Sequence, residues 1–485
     1  MSTLPEPKVT IIVVNWNKRA DVINLLDSLQ GIAYKNYSIV VVDNASTDDS
    51  VPAIKAHPLS VTLLENAENL GGTGGFNTGM RYALNVLQQD YLWLLDNDAE
   101  VTPYTLTELV RAMEADGTIG AAGSCIMSPE DKSLMVEAGG FVHWRSGTWA
   151  PNLRYARLND QDDSRIIDVD YVAACSALVR ATTAREVGVM DDRYFLHWDD
   201  IEFCLRMKRQ GLRVVAVVAS KVYHGVEKGC NPGIIYYDFR NGLLTASKHT
   251  SGIGRLIAYL GVLNNAFSSM VYVNLLGHRA WSRLIRSSVE DFLLGRFGKG
   301  RLSAGLTVAE SQPVAEQELA TRLSRVLVYA SGTFDEVVQT VTKVREVAPG
   351  AHITLGVNRE RAPIFDFLNV SHLCFDILKD PLSSKIRTAI KVLCGGYGVT
   401  ITAGEGLSAP YAFLLTKHYT YAPVKERFFA SDQNLWAIWK VALSLVLGPI
   451  SAVAALPSVW NAGTRHAGSG GLSGAAEPVR DSAVG

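Results

Sequence analysis

The chain has 485 residues, too many for one ordinary domain at roughly 150 residues each, so two or three domains are expected. A formal charge of -2 gives no electrostatic case for a nucleic-acid partner, because phosphate binding normally needs a basic stripe or patch. The six cysteines (Cys125, Cys175, Cys204, Cys230, Cys374 and Cys394) lack CxxC spacing, which argues against a structural zinc site or a disulfide framework and for a reducing compartment.

The N-terminal MSTLPEPK passes straight into a strand with no basic leader or cleavage site, so synthesis and action in the cytoplasm are expected. VTIIVVNWN is a continuous apolar, β-branched run, as for a strand buried on both faces of a parallel sheet. KRADVINLLDSLQG follows with apolar residues at helical spacing and stops at Gly31. YSIVVVDNASTD is a second buried strand with an acidic, polar end, SVPAIKAH a helix, and SVTLLENAEN a third strand. NLGGTGGFNTGM then reads as a glycine-rich loop, with Asn77 opening a helix over TGMRYALNVLQQ, and DYLWLLDNDAEVTP as a fourth strand. This alternation predicts a doubly wound α/β unit, whose ligands sit where the strands' carboxyl ends open into loops. A dinucleotide fingerprint would place its glycines after the first strand; here that turn, NWNKRAD, has none, and the best register, Gly72, Gly74, Asn77, lacks the third glycine.

Residues 1–250 are therefore expected to form one catalytic domain. In residues 251–320, LIAYLGVLNNAFSSMVYVNLL is uncharged, but Asn264, Asn265, Ser268 and Ser269 make it a poor membrane span. With the Arg- and Trp-bearing segment after it, this region reads either as membrane-interfacial or as helices packed on the first domain. Residues 321–430 repeat the strand–helix–strand pattern in a smaller α/β domain with no cluster of titratable residues. In residues 431–460, the run from Leu435 to Trp460 is apolar except for Lys440 and carries Trp at both ends, which predicts a membrane-associated or transmembrane helix, kinked at Pro449 and Pro457. The Gly-, Ser- and Ala-rich residues 461–485 are expected to be disordered.

Four features carry chemistry. Asp96 and Asp98 lie two apart at the end of an apolar strand, where two carboxylates repel unless a cation lies between them; such hard oxygen ligands suit Mg2+ or Mn2+. Asp43, at another strand end, either caps its turn or accepts the N3–H of a uracil or thymine base. Asp199, Asp200 and Glu202 begin an amphipathic helix beside Trp198, an arrangement that serves the helix dipole or supplies a general base. His224 ends a further strand; if that strand runs parallel to the one ending at Asp98, its imidazole completes a metal shell.

These segments, with YYDFRNGL, fall in the order and spacing of the inverting glycosyltransferases of family 2, which the chain resembles over about residues 8–300. Within that family, GGTGGFN, WDD, the late His and YYDFRN are most similar to bacterial galactofuranosyl- and rhamnosyltransferases. The resemblance implies a GT-A nucleotide-diphospho-sugar fold, a mostly parallel α/β sheet. It implies that Asp43 and the Asn15 to Asn17 loop lie at the nucleotide, that Gly72, Gly74, Gly75, Asn77, Asp96 and Asn97 line the sugar-nucleotide side, and that Asp96, Asp98 and His224 hold the metal. Asp200 matches the catalytic base, with Asp199 and Trp198 shaping the acceptor site and Arg240 near the acceptor or diphosphate. Ala99 stands where the family often has a third acid, which puts more weight on His224. The implied donor is a UDP- or dTDP-sugar and the implied acceptor a glycan or lipid-linked glycan, at the cytoplasmic face of a bacterial inner membrane; homo-oligomer formation is left open. A sugar nucleotidyltransferase, or a non-catalytic glycan-binding protein of the same fold, is the alternative.

Overall fold

The computed structural model describes residues 6–129, 131–153, 156, 164–225, 232–275, 279–300, 313–316, 320–330, 334–359, 361–375, 382–403, 418–422, 427–430 and 436–468. The chain runs β1 (Val9–Asn15), α1 (Arg19–Gln30), β2 (Tyr37–Asp43), α2 (Ser50–Lys55), β3 (Thr62–Glu65), α3 (Gly71–Tyr82), β4 (Tyr91–Asp96), β5 (Ala99–Val101), α4 (Thr105–Ala115) and β6 (Ile119–Met127). Short strands β7 (Met135–Glu137), β8 (Gly140–His143), β9 (Thr148–Pro151) and β10 (Ile166–Asp168) precede β11 (Ser176–Arg180), α5 (Ala181–Val187), α6 (Asp199–Arg209) and β12 (Arg213–His224). Helices α7 (Pro232–His249), α8 (Gly252–Leu275) and α9 (Arg279–Leu293) follow.

Among the described residues these strands form one large sheet in the order β10–β12–β6–β11–β4–β1–β2–β3, with β5 added to β12 and β7 to β6. β1, β2, β3 and β4 are parallel, β11 enters antiparallel between β4 and β6, and β12 is again parallel to β6. The continuous apolar runs follow from cover on both faces: Leu25, Leu26, Leu29, Leu106 and Leu109 of α1 and α4 pack on one side. Phe76, Met80, Phe203 and Met207 of α3 and α6 pack on the other. Each such side chain, fully buried, contributes about 1.5–3 kcal/mol.

The glycine stretch departs from expectation. Helix α3 starts at Gly71, so Gly72, Gly74, Gly75 and Asn77 are helical rather than a loop, although each glycine costs about 1 kcal/mol in a helix relative to alanine. Close approach outweighs that cost. A methyl at Gly75 would overlap Val14 and Asn44, so α3 can lie directly on β1 only without side chains there. Gly71 has φ +76°, and any side chain there would meet the Phe195 carbonyl.

A second sheet follows the helices. It comprises β13 (Pro313–Val314), β14 (Arg325–Tyr329), α10 (Phe334–Val347), β15 (His352–Asn358), β16 (Ser371–Phe375), α11 (Leu382–Cys394), β17 (Val399–Ala403), β18 (His418–Ala422) and β19 (Arg427–Ala430). The order is β13–β19–β18–β17–β14–β15–β16, five parallel strands closed at one edge by antiparallel β19 and β13. The last helix, α12 (Trp436–Gly468), returns to the first domain. It packs on α8, where Gly448 meets Ser268 and Gly463 meets Tyr259, and buries Ala452, Val459 and Ala462. It carries Pro449 and Pro457 inside it and extends through residues 461–468, where disorder was expected. Residues 431–435 and 469–485 lie outside the described residues. Among the described residues no helix is long and apolar enough to cross a membrane.

Candidate active site

The turn after β4 brings Asp96 and Asp98 together with His224. β12 runs parallel to β4 in the same sheet, with β6 and the antiparallel β11 between them. The three-residue strand β5 doubles back from the turn and pairs antiparallel with the end of β12, setting Ala99 opposite His224. His224 Nε2 then lies 3.0 Å from Asp98 Oδ1 and 3.7 Å from Asp96 Oδ2. One ligand atom from each residue falls within 4.8 Å of the others. Two oxygens on opposite sides of a Mg2+ at about 2.1 Å are about 4.2 Å apart, so the spacing suits a divalent ion with little adjustment. Two carboxylates and an imidazole are also a donor set that Mn2+ accepts.

The second element is the loop into α6. Phe195, His197 and Trp198 have φ of 67°, 63° and 66°, a left-handed path that costs an L residue about 1–3 kcal/mol each and persists only when surroundings enforce it. It turns the chain so that Asp199 and Asp200 open the helix. Asp199 is buried and accepts a hydrogen bond from Thr73 Oγ1 at 2.7 Å. Asp200 accepts from the backbone N–H of Ile201 at 2.7 Å and of Ala174 at 3.3 Å. Burial pushes the Asp200 carboxyl well above its ordinary range and the adjacent Asp199 charge adds to this, against the opposing N–H groups of Ile201 and Ala174 and the His197 ring. Burial lowers His197, but its hydrogen bond to Asp238 and the charges of Asp238, Asp199 and Asp200 outweigh that, and its net shift is upward. Behind them Glu202, fully buried, is held by Arg206, Lys248 and His249 at 3.0, 2.5 and 3.1 Å.

Both elements face one cleft of about 240 Å3, lined by Asp96, His224, Asp199, Asp200, His197, Trp198, Gly72 and Leu196, and also by Glu137, Trp149 and Tyr171. Four carboxylates border it, and none of the described lining residues is Lys or Arg. These carboxylates oppose an anionic ligand, and a bound cation would offset them. Glu137, Trp149 and Tyr171 were not singled out from the sequence; Glu137 sits on a three-residue strand with no periodic signal, and Trp149 reaches Tyr171 edge-on at 5.8 Å from a short hairpin.

Other expected site residues lie elsewhere. Asp43 is almost fully buried, and its carboxylate accepts from Asn15 Nδ2 at 3.2 Å and the Ser46 N–H at 2.8 Å. Asn15 is fully buried and also accepts from Asn97 Nδ2 at 3.0 Å. Asn17, at φ 51°, accepts from the N–H groups of Thr47 and Asp48, which ties the loops after β1 and β2 together. Trp16 between them is half exposed. Asn77 does not open a helix: it is fully buried inside α3 and donates to the Met190 carbonyl and Asp192. Gly74 packs on Leu70 and Gly75 on Val14, so of the three expected glycines only Gly72 borders the cleft. Arg240 is a correction as well. It is fully buried and donates to the carbonyls of Gly298, Arg193 and Tyr194, so it reaches the back of the loop rather than the acceptor side.

Residues 10–181 match the family model described as Glycosyl transferase family 2. Galactofuranosyltransferase GlfT1 of Mycolicibacterium smegmatis is 26% identical over 217 residues, 44% of this chain and 70% of that protein. Galactofuranosyltransferase GlfT2 of the same organism is 22% identical over 442 residues, 83% of this chain and 64% of that protein. The N-acetylglucosaminyl-diphospho-decaprenol L-rhamnosyltransferase of Mycobacterium tuberculosis is 24% identical over 238 residues, 44% of this chain and 75% of that protein. Residues 10–181 thus form a family 2 glycosyltransferase domain.

Proposed function

We propose that this family 2 glycosyltransferase moves a hexose, rhamnose or galactofuranose, from a UDP- or dTDP-sugar to a hydroxyl of a glycan or lipid-linked glycan, with inversion at the anomeric carbon. The observation that carries the reading is the cleft in which Asp96 and His224, grouped with Asp98, face Asp199 and Asp200 without a Lys or Arg among the described lining residues. These carboxylates oppose an anionic nucleotide sugar, which a bound cation would offset, and Asp96, Asp98 and His224 are the residues to hold Mg2+ or Mn2+. When bound, the ion offsets charge on the leaving diphosphate as a Lewis acid. Asp200, raised in basicity by burial and by Asp199, takes the proton of the acceptor hydroxyl. The acceptor oxygen bonds to the anomeric carbon from the face opposite the departing phosphate oxygen, which leaves with the bond's electron pair. One carboxylate suffices, because inversion needs no covalent sugar intermediate. Trp16 is the exposed ring at the strand end on which a pyrimidine base would stack, while Asp43 supports it by fastening the neighbouring loop.

The names of the relatives support the choice of sugar and of a polyprenyl-linked or glycan acceptor. For work at a membrane surface, the exposed Ile253 and Ile257 of α8 and Ile450 and Val453 of α12 are the apolar side chains that would meet lipid. Residues 321–430 then serve to position a large acceptor. A screen of UDP- and dTDP-sugars with Mn2+, read as nucleotide released in the presence of acceptor, tests the reading. Donor binding without release for every sugar, across a panel of glycan and polyprenyl-linked acceptors, would leave a glycan-binding protein instead.

A further inference from the structure

The YYDFRN segment of α7 meets the loop before Asp199 almost residue by residue. Tyr237 stacks on Phe195 with ring centroids 5.5 Å apart, and Asp238 bonds to His197 Nδ1 at 3.1 Å. Asn241 is fully buried, and its Nδ2 lies 3.1, 2.9 and 2.8 Å from the carbonyl oxygens of Tyr194, Leu196 and His197. Its Oδ1 accepts from Arg240 Nε at 3.0 Å. A guanidinium only donates, so that bond fixes the amide with its N–H groups toward the three carbonyls. The next carbonyl contact is also directed: Phe195 O accepts from the Thr73 N–H.

Three carbonyls from a five-residue stretch converge on one amide only because Phe195, His197 and Trp198 are left-handed. The amide and the turn therefore stabilise each other. Trp198 leads without a spacer into Asp199 and Asp200, so the path of this turn sets where the first turn of α6 points. We propose that Asn241 is a positioning residue for transfer: it holds residues 194–198 in the left-handed path that presents Asp200 to the cleft. Asp238, three residues earlier on the same helix, orients His197 in the same way. The inference rests on Asp200 being the base.

The experiment uses the full chain with Mn2+ and the best donor found. Asn241→Ala removes the amide, and Asn241→Asp keeps its shape and its contact with Arg240 while losing the donors. Turnover is counted per donor-binding site, titrated with UDP, so that misfolded protein does not register. Both variants are expected to lose at least tenfold in kcat with KM for the donor unchanged within twofold, and Asn241→Ala is expected to cost nothing further in an Asp200→Asn background. A purely structural asparagine would lower the number of binding sites and leave kcat per site intact; that result, with Asp200→Asn inactive, overturns the proposal. An equal additional loss in the double variant also overturns it, by placing the effect away from Asp200. Full turnover in Asp200→Asn alone overturns the base assignment and the positioning role together.

Discussion

Replacing Asp200 with Asn should stabilise the protein at the pH where it abolishes turnover. The folded carboxyl is pushed up to about 7, chiefly by burial and then by Asp199. In the unfolded chain it titrates near 3.9. Between those values the folded protein keeps a proton that the unfolded chain has released, so this group's contribution is complete below about pH 4 and is lost as pH rises through about 7. The slope is about 1.4 kcal/mol per pH unit, or about 3 kcal/mol from pH 5 to pH 7. Because Asp200 borders the cleft, solvent reduces this, and about 2 kcal/mol, roughly 4–8 °C in melting temperature, is expected for a domain of this size. Asn cannot titrate and avoids the loss. Its amide would face the Ala174 N–H, a cost present at every pH that cancels when two pH values are compared. Urea unfolding of metal-free wild type and Asp200→Asn at pH 5 and pH 8 measures the difference. The variant should gain about 2 kcal/mol on wild type between the two, within the estimate above. An identical stability difference at both pH values would refute the claim that burial and Asp199 hold the proton on this carboxyl up to about pH 7.

Three further outcomes test the remaining assignments. UDP with Mn2+ at 100 times its Kd should stabilise wild type by about 2.7 kcal/mol, and neither Asp98→Ala nor His224→Ala should retain the Mn2+-dependent part; an undiminished shift by differential scanning fluorimetry rejects the metal group. Gly75→Ala should cost about 1–3 kcal/mol by overpacking Val14 while UDP affinity stays constant; the converse would return this glycine to the donor wall. Arg240→Met should lower stability by about 3–5 kcal/mol, since the carbonyls of Gly298, Arg193 and Tyr194 lose a buried cation, and should leave acceptor KM in the folded fraction unchanged; a raised KM at normal stability would place Arg240 at the acceptor.

Much of the first sheet was legible because β1, β2 and β4 are buried on both faces, and double burial writes itself as unbroken Val, Ile and Leu. The acidic strand ends were legible for the same reason: a carboxylate at the close of such a run stands out. What failed did so where tertiary contact overrode local preference. Glycine propensity argued for a loop at 71–77, yet the need for α3 to touch Val14 makes it helix. His224 was placed near Asp98 by strand direction, which holds, but the strand that sets Ala99 opposite it, β5, is three residues long and leaves no periodic signal. Arg240 looked like a ligand contact because a polar residue in an apolar helix invites that reading; its partners are the carbonyls of Arg193 and Tyr194, more than 40 residues earlier, and of Gly298, which spacing alone cannot reveal.

The site divides into two halves of different origin. Asp43, Asp96 and Asp98, with the glycine helix, lie within residues 10–181 and sit on the rigid parallel part of the sheet. Asp200, His224 and Asn241 lie beyond it, and their placement depends on a strained loop, a strand edge and a helix from outside that core. A binding half on regular strands holds its geometry by burial alone. The proton-accepting half cannot, because three left-handed residues in a row of four favour relaxation unless each carbonyl finds a donor. This explains why α7 carries so many polar groups on its buried face, and why their removal should be felt in the chemical step while donor binding, which relies on the sheet half together with His224 and not on α7, persists.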